Sequence, residues 1–144
     1  MIPSFVLDAS VAAKLVVPES REPLVDRADE LYLRYTRGEV RFIVPDLFWV
    51  EVVNVLWKTV RWGRWPQAAA MLALAEVQEW NFPTLRHHDF LDDALAIALS
   101  YDRTAYDAIY LAIARATDSP LLTADERLAN AVAAHLPVRW LGSI

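Results

Sequence analysis

The sequence predicts a three-layer α/β/α sandwich around a central, mostly parallel sheet, and three observations carry that expectation. Short apolar runs recur at residues 5–7, 42–44, 121–123 and 138–141, each the length of a strand rather than a helix. Between them lie longer stretches with apolar residues at helical spacing. Strands alternating with helices in this way build a parallel sheet covered on both faces. The third observation is the stretch 105–116, where Ala108, Ile109, Tyr110, Leu111, Ala112, Ile113 and Ala114 leave no polar face. A helix that is apolar all round must be covered on every side.

The elements follow in order. Phe5-Val-Leu is a short strand ending at Asp8, and Ser10 caps a brief helix through Lys14 and Val17 that Pro18 stops. Residues 22–37 carry Leu24, Val25, Ala28, Leu31, Tyr32 and Tyr35 as a helical stripe closed by Gly38. After the strand 42–44, Pro45-Asp46 opens a helix to about residue 60, and Pro66 starts another to about residue 80. Residues 82–85 are ambiguous between a connection and an edge strand. A helix over 89–101 leads to Thr104, an N-cap that places Asp107 in the first turn of the buried helix. A turn at Asp118-Ser-Pro120, a strand over 121–123, a helix over 124–135 and a last strand complete the chain.

Composition narrows the class. At 144 residues the chain fits a single domain over 1–144 with a substantial core. Its hydrophobic fraction of 56% and six tryptophans exceed what one core needs, which predicts a homodimer, formed by the helices expected over 22–37 and 47–60, and a protein contact besides. No cysteine is present, so a disulfide framework is excluded and a reducing cytoplasm suits the chain. The opening residues lack a basic region and meet Asp8 too early for a signal peptide. No apolar run approaches the roughly 20 residues of a membrane span. A net charge of −5 disfavours loose, charge-driven binding to nucleic acid, though not a local basic patch.

Four acids stand out by topology. In an open parallel sheet, ligands bind beyond the carboxyl ends of the strands. Asp8 ends the first strand, and Asp125 lies just past the strand 121–123. Glu51 sits in the second turn of the helix after 42–44, and Asp107 opens the buried helix, so all four fall at one sheet edge. Each has a structural reading of its own: Asp8 as a turn residue, Asp107 as a dipole-favoured cap, Asp125 as an Asx-turn acid, Glu51 as part of a solvated stripe. Together they would repel, and a hard divalent cation such as Mg²⁺ or Mn²⁺ is the natural compensation. Such a site activates water and steadies a leaving oxygen in phosphodiester cleavage. His87-His-Asp89 is a poorer ligand set, since adjacent histidines cannot share a helix face. With three glycines the chain shows no P-loop or dinucleotide fingerprint.

Val6-Leu-Asp-Ala-Ser10, Val44-Pro-Asp-Leu-Phe-Trp-Val-Glu-Val-Val-Asn54, Tyr106-Asp-Ala-Ile-Tyr-Leu-Ala-Ile-Ala114 and Leu122-Thr-Ala-Asp-Glu-Arg-Leu128 resemble, in order, the motifs of the PIN-domain nucleases, and within them the VapC-type ribonuclease toxins. The resemblance implies a PIN-like fold and a metal-binding, catalytic set of Asp8, Glu51, Asp107 and Asp125. It implies supporting roles for Ser10, Thr123 and Asn54. It also implies an endoribonuclease that acts in the cytoplasm as the toxin of a toxin–antitoxin pair, with a small antitoxin protein as partner. One departure is Asp118-Ser-Pro120 where the family often has a glycine, a change expected in a turn and not in the chemistry.

RNA contacts have a candidate in Trp57-Lys-Thr-Val-Arg-Trp-Gly-Arg-Trp65, which interleaves three tryptophans with Lys58, Arg61 and Arg64. Stacking aromatics and phosphate-pairing cations hold single-stranded RNA, but cations also suit a helix C-terminus and tryptophans an interface. Two rival readings stand beside the toxin: a housekeeping RNA-processing nuclease, and a non-catalytic RNA- or protein-binding module.

Overall fold

The computed structural model describes residues 1–17 and 24–144. Five strands, β1 (Ser4–Leu7), β2 (Arg41–Pro45), β3 (Thr84–Leu85), β4 (Leu121–Thr123) and β5 (Val138–Trp140), form one sheet in the order β3-β2-β1-β4-β5. Every pairing is parallel. The helices are α1 (Ala9–Val16), α2 (Val25–Thr36), α3 (Asp46–Arg61), α4 (Gln67–Gln78), α5 (Leu91–Tyr101), α6 (Ala105–Thr117) and α7 (Glu126–Val132). From β1 the chain steps outward to β2 and β3, then returns across β1 to β4 and β5. Right-handed crossovers in opposite directions put α1–α4 on one face and α5–α7 on the other. The sheet is thus the middle layer of the sandwich.

The core follows from that layering. Val6 and Leu7, Phe42 and Val44, and Leu121 and Leu122 are buried from both sides, as a strand between two helical layers must be. Residues 108–114 of α6 are all buried. Tyr35, Phe42, Phe48, Trp49, Trp80 and Phe82 form an aromatic cluster at the β3 side of the sheet, with ring centroids 4.9–6.1 Å apart. That cluster absorbs two of the six tryptophans.

Several expectations at element ends are corrected. Ser10 does not cap α1: Asp8 holds the N-cap position, and the Ser10 hydroxyl bonds the Asp8 carboxylate instead. The start of the helix expected over 22–37, and Pro18, lie outside the described residues, and the described helix begins at Val25. Its end is as expected, with Gly38 at φ +74 donating its N–H to the Tyr35 carbonyl. The residues 82–85 contribute a two-residue edge strand, held by pairing with Val44 and Pro45. The helix expected over 124–135 is only Glu126–Val132, because the Asp125 carboxylate caps it by accepting from Leu128 N–H at 3.1 Å. Asp118 takes the left-handed conformation that a glycine would adopt freely, at φ +51, and ends α6.

Candidate active site

The sheet order reverses between β1 and β4, and the crevice beyond their carboxyl ends is the natural ligand position. Asp8 follows β1 directly and is buried. Its Oδ2 accepts from Ser10 Oγ and from Thr123 Oγ1, both at 2.7 Å. The same two hydroxyls accept backbone N–H groups from Ala124 and Asp125, each at 3.0 Å. Each hydroxyl proton is therefore committed to Asp8, and the 3.3 Å approach between the hydroxyls is a contact rather than a bond. Burial raises the Asp8 pKa; the Thr123 and Ser10 hydrogen bonds oppose it, and the charge of Asp125 adds to it.

Thr123 is fully buried, so its hydroxyl can be tested by deletion. Thr123→Val should cost about 1–3 kcal/mol, because it strands the Asp125 N–H and removes a donor from a buried carboxylate. Thr123→Ser should recover most of that. Equal melting of the Val variant and the parent would show that the hydroxyl bears no structural duty.

Glu51 lies one and a half turns into α3. Its carboxyl is pushed up to about 7, chiefly by burial and further by Asp8 and Asp107, while the Tyr110 hydroxyl pulls it down. Glu51 Oε1 and the Tyr110 hydroxyl are both buried and short of true hydrogen-bond geometry, so each remains unsatisfied. Burial and the charges of Glu51 and Asp8 hold the Tyr110 hydroxyl well above its ordinary pKa, so it stays a proton donor.

Asp107 stands in the first turn of α6, its backbone N–H capped by Thr104 Oγ1 at 3.1 Å. Burial and Asp8 raise its pKa, Arg103 opposes, and Asp125 adds. Arg103 Nε approaches Asp107 Oδ2 at 3.7 Å. Asp8, Glu51, Asp107 and Asp125 are thus close enough to feel each other's charge at one sheet edge. They are not drawn into a tight cage: among the described residues no three acids or histidines are grouped as metal ligands. Asp125 is turned to cap α7 and Asp107 toward Arg103.

The donor set nonetheless fits a hard divalent ion. It offers carboxylate oxygens only, three of the acids are disfavoured as anions, and Glu51 Oε1 is buried with no partner. The histidine alternative finds no such support. The His87 ring pairs with Asp46, and its backbone N–H donates to the same carboxylate at 3.0 Å. Asn54 is exposed and makes no described hydrogen bond to the acids.

Sequence reasoning missed two residues here. Tyr110 lies one turn after Asp107, and reading it as bulk for an apolar helix hid its hydroxyl. Arg103 lies just ahead of the Thr104 N-cap, where a cation can reach back to a first-turn acid such as Asp107.

Comparison with known proteins bears on this geometry. The PIN domain profile matches residues 5–133. Ribonuclease VapC3 of Pyrobaculum aerophilum is 39% identical over 132 residues, which span 87% of this chain and 92% of that protein. The solved structure of PAE2754 from Pyrobaculum aerophilum superposes with a TM-score of 0.72 at 24% identity, covering 99% of this chain and 91% of that one. A toxin–antitoxin complex from Klebsiella pneumoniae gives a TM-score of 0.61 at 16% identity, covering 94% and 95%. The two structures speak for the fold alone. The profile spans both acids that end strands and both that lie on helices, and with the VapC3 match it leads to one conclusion: this chain belongs to the PIN domain family.

Proposed function

We propose that this chain is a metal-dependent endoribonuclease, the toxin of a toxin–antitoxin pair, built as a single nuclease domain over residues 1–144. The observation that carries the reading is the field of Asp8, Glu51, Asp107 and Asp125, in which three carboxylates are pushed toward their protonated forms at the strand ends. Acids held so unfavourably are a poor structural investment and a good cation trap. The identity to a protein named as a ribonuclease supports RNA as the substrate.

Asp8, Glu51, Asp107 and Asp125 would hold Mg²⁺ or Mn²⁺. A bound ion supplies an activated water and neutralises charge on the phosphate. The rest falls to the chain. Ser10 and Thr123 fix the orientation of Asp8, Arg103 steadies Asp107, and the Tyr110 hydroxyl faces Glu51 as a donor. Of the three cations expected to contact RNA, Lys58 and Arg64 line the cleft beside Asp125, whereas Arg61 lies over Trp57.

For partners, the reading includes a small antitoxin. The groove between α3 and α4, lined by Val53, Leu56, Trp57, Met71 and Leu74, suits the apolar face of a helix. A toxin acting on RNA belongs in the cytoplasm; among the described residues no helix is long and apolar enough to cross a membrane.

A homodimer is also part of the proposal. The helices expected to form it offer less than α5 does: α2 exposes Leu33, and α3 turns Val53 and Trp57 to the groove against α4, whereas α5 exposes Leu91, Leu95 and Leu99 at four-residue spacing on one face. Leu95→Glu should therefore turn a dimer into a monomer at micromolar concentration, read by sedimentation. A parent that is already monomeric sinks the dimer.

The test of the function is cleavage of total RNA by purified protein with Mg²⁺ or Mn²⁺. Activity should vanish in EDTA and return when the metal is restored. Cleavage indifferent to EDTA removes the metal. No cleavage at all would leave a binding module.

A further inference from the structure

A cleft of about 360 Å³ opens beside Ser10 and Asp125, and away from that acid its described lining is apolar and basic. One wall is the face of α1 bearing Ser10, Lys14 and Val17, three or four residues apart. The other is the face of α3 bearing Val55, Lys58 and Trp62, which continues the face of Glu51, since positions 51, 55, 58 and 62 recur at helical spacing. Arg64 closes the far end. In a chain of net charge −5, this cleft brings Lys14, Lys58 and Arg64 together, and among the described residues that line it the one acid is Asp125. Trp62 is 64% exposed there, and the Arg64 guanidinium lies 5.9 Å from its ring centroid. From Glu51 to Trp62 is eleven residues of helix, roughly 16 Å. That is room for a short length of single strand.

We propose that this cleft is the subsite for the RNA flanking the bond to be cut, with Trp62 as the stacking platform for a base and Lys58 as the grip on its phosphate. The inference rests on the nuclease reading and deepens it. An exposed indole among cations, contiguous with the acids, is the combination by which single strands are held without sequence readout. The cleft also separates the aromatic and basic residues of 57–65 into two groups. Trp57 and Arg61 pair with each other, 5.5 Å from guanidinium carbon to ring centroid, and Trp57 lines the groove against α4 instead. Only the first group faces the acids.

Fluorescence anisotropy of a labelled ten-nucleotide RNA tests this in EDTA, on an Asp107→Asn background so that the probe survives. Adding Trp62→Ala should weaken binding about tenfold, and Trp62→Tyr should restore most of it. Lys58→Gln should weaken binding less and reduce the slope of log K against log salt by about one. Trp57→Ala, on the α4 side, should leave the affinity unchanged. Binding indifferent to Trp62→Ala overturns the subsite, as does an equal loss with Trp57→Ala; so would a Trp62→Ala loss confined to a protein partner. Cleavage separates this proposal from the one beneath it. If the parent cuts RNA with metal and Trp62→Ala in that active background leaves KM unchanged, the nuclease stands and the subsite falls. If the parent never cuts but the Trp62 and Trp57 variants split as stated, the nuclease falls and the RNA cleft stands.

Discussion

Asp107→Asn is expected to cleave RNA at least about a hundredfold more slowly than the parent while melting at an equal or higher temperature in EDTA. Groups that merely support a metal ligand already cost 10–100-fold when removed, so loss of a ligand should reach at least the upper end. The stability half runs against intuition. Asn forfeits a favourable helix-dipole interaction of about 0.3–1 kcal/mol and the approach of Arg103. Set against that, burial, Asp8 and Asp125 all disfavour a charge at position 107, and the net direction of the Asp107 pKa is upward. The cap survives, because Thr104 accepts from the backbone N–H, which the substitution leaves in place. An active Asp107→Asn protein would remove this residue from the chemistry. An inactive one that is plainly less stable would make it a structural acid.

Metal and pH should act on the parent through the same charges. A divalent ion at a hundred times its Kd stabilises the folded state by about 2.7 kcal/mol, which for a chain of this size is a rise in Tm of roughly 5–10 °C. In EDTA the parent should lose stability as pH rises. The Glu51 carboxyl titrates at about 7 in the fold against an ordinary value of 4.5. Between those values the folded state carries the extra proton, so raising the pH takes stability away. Asp8 and Asp107 are shifted in the same direction and steepen the trend. Glu51→Gln should flatten the profile between pH 5 and 8, and Mg²⁺ should flatten it too by replacing the proton with a cation. Melting curves at pH 5 and pH 8, with and without metal, decide it. A parent whose Tm ignores both would leave the acids with no shared charge to relieve.

Much of this architecture is legible in the sequence, and the reasons differ by element. Strands such as 5–7 and 121–123 announce themselves because burial on both faces demands uninterrupted apolar residues. The strand at Thr84–Leu85 does not, since it exists by pairing with β2 rather than by its own propensity. The order of strands has no local signature at all. Topology alone places the four acids at one edge, but not the direction of each carboxylate. Asp125 turns to its own helix and Asp107 toward Arg103, and both choices depend on neighbours in space. Tyr110 is hidden for a similar reason: it reads as apolar bulk until the fold decides which way its hydroxyl will face. The stretch 57–65 is legible as stacking aromatics among cations, but which of its rings stays open is decided only by the packing of α3 against α1 and α4.

The hydrogen bonds around Asp8 all run one way. Protons are offered from the backbone of Ala124 and Asp125 to two hydroxyls, and from those hydroxyls to a single carboxylate oxygen. An amide nitrogen in that oxygen's place would meet two donors head-on, so Asp8→Asn keeps the relay in only one of its two orientations, with the carbonyl oxygen toward Ser10 and Thr123. Asp107 sits in no such relay, and its amide analogue keeps the local wiring intact. A dead form of the protein meant to trap uncut RNA or to carry a bound antitoxin is therefore best made at Asp107, where the amide has no orientation to choose between two hydroxyl donors.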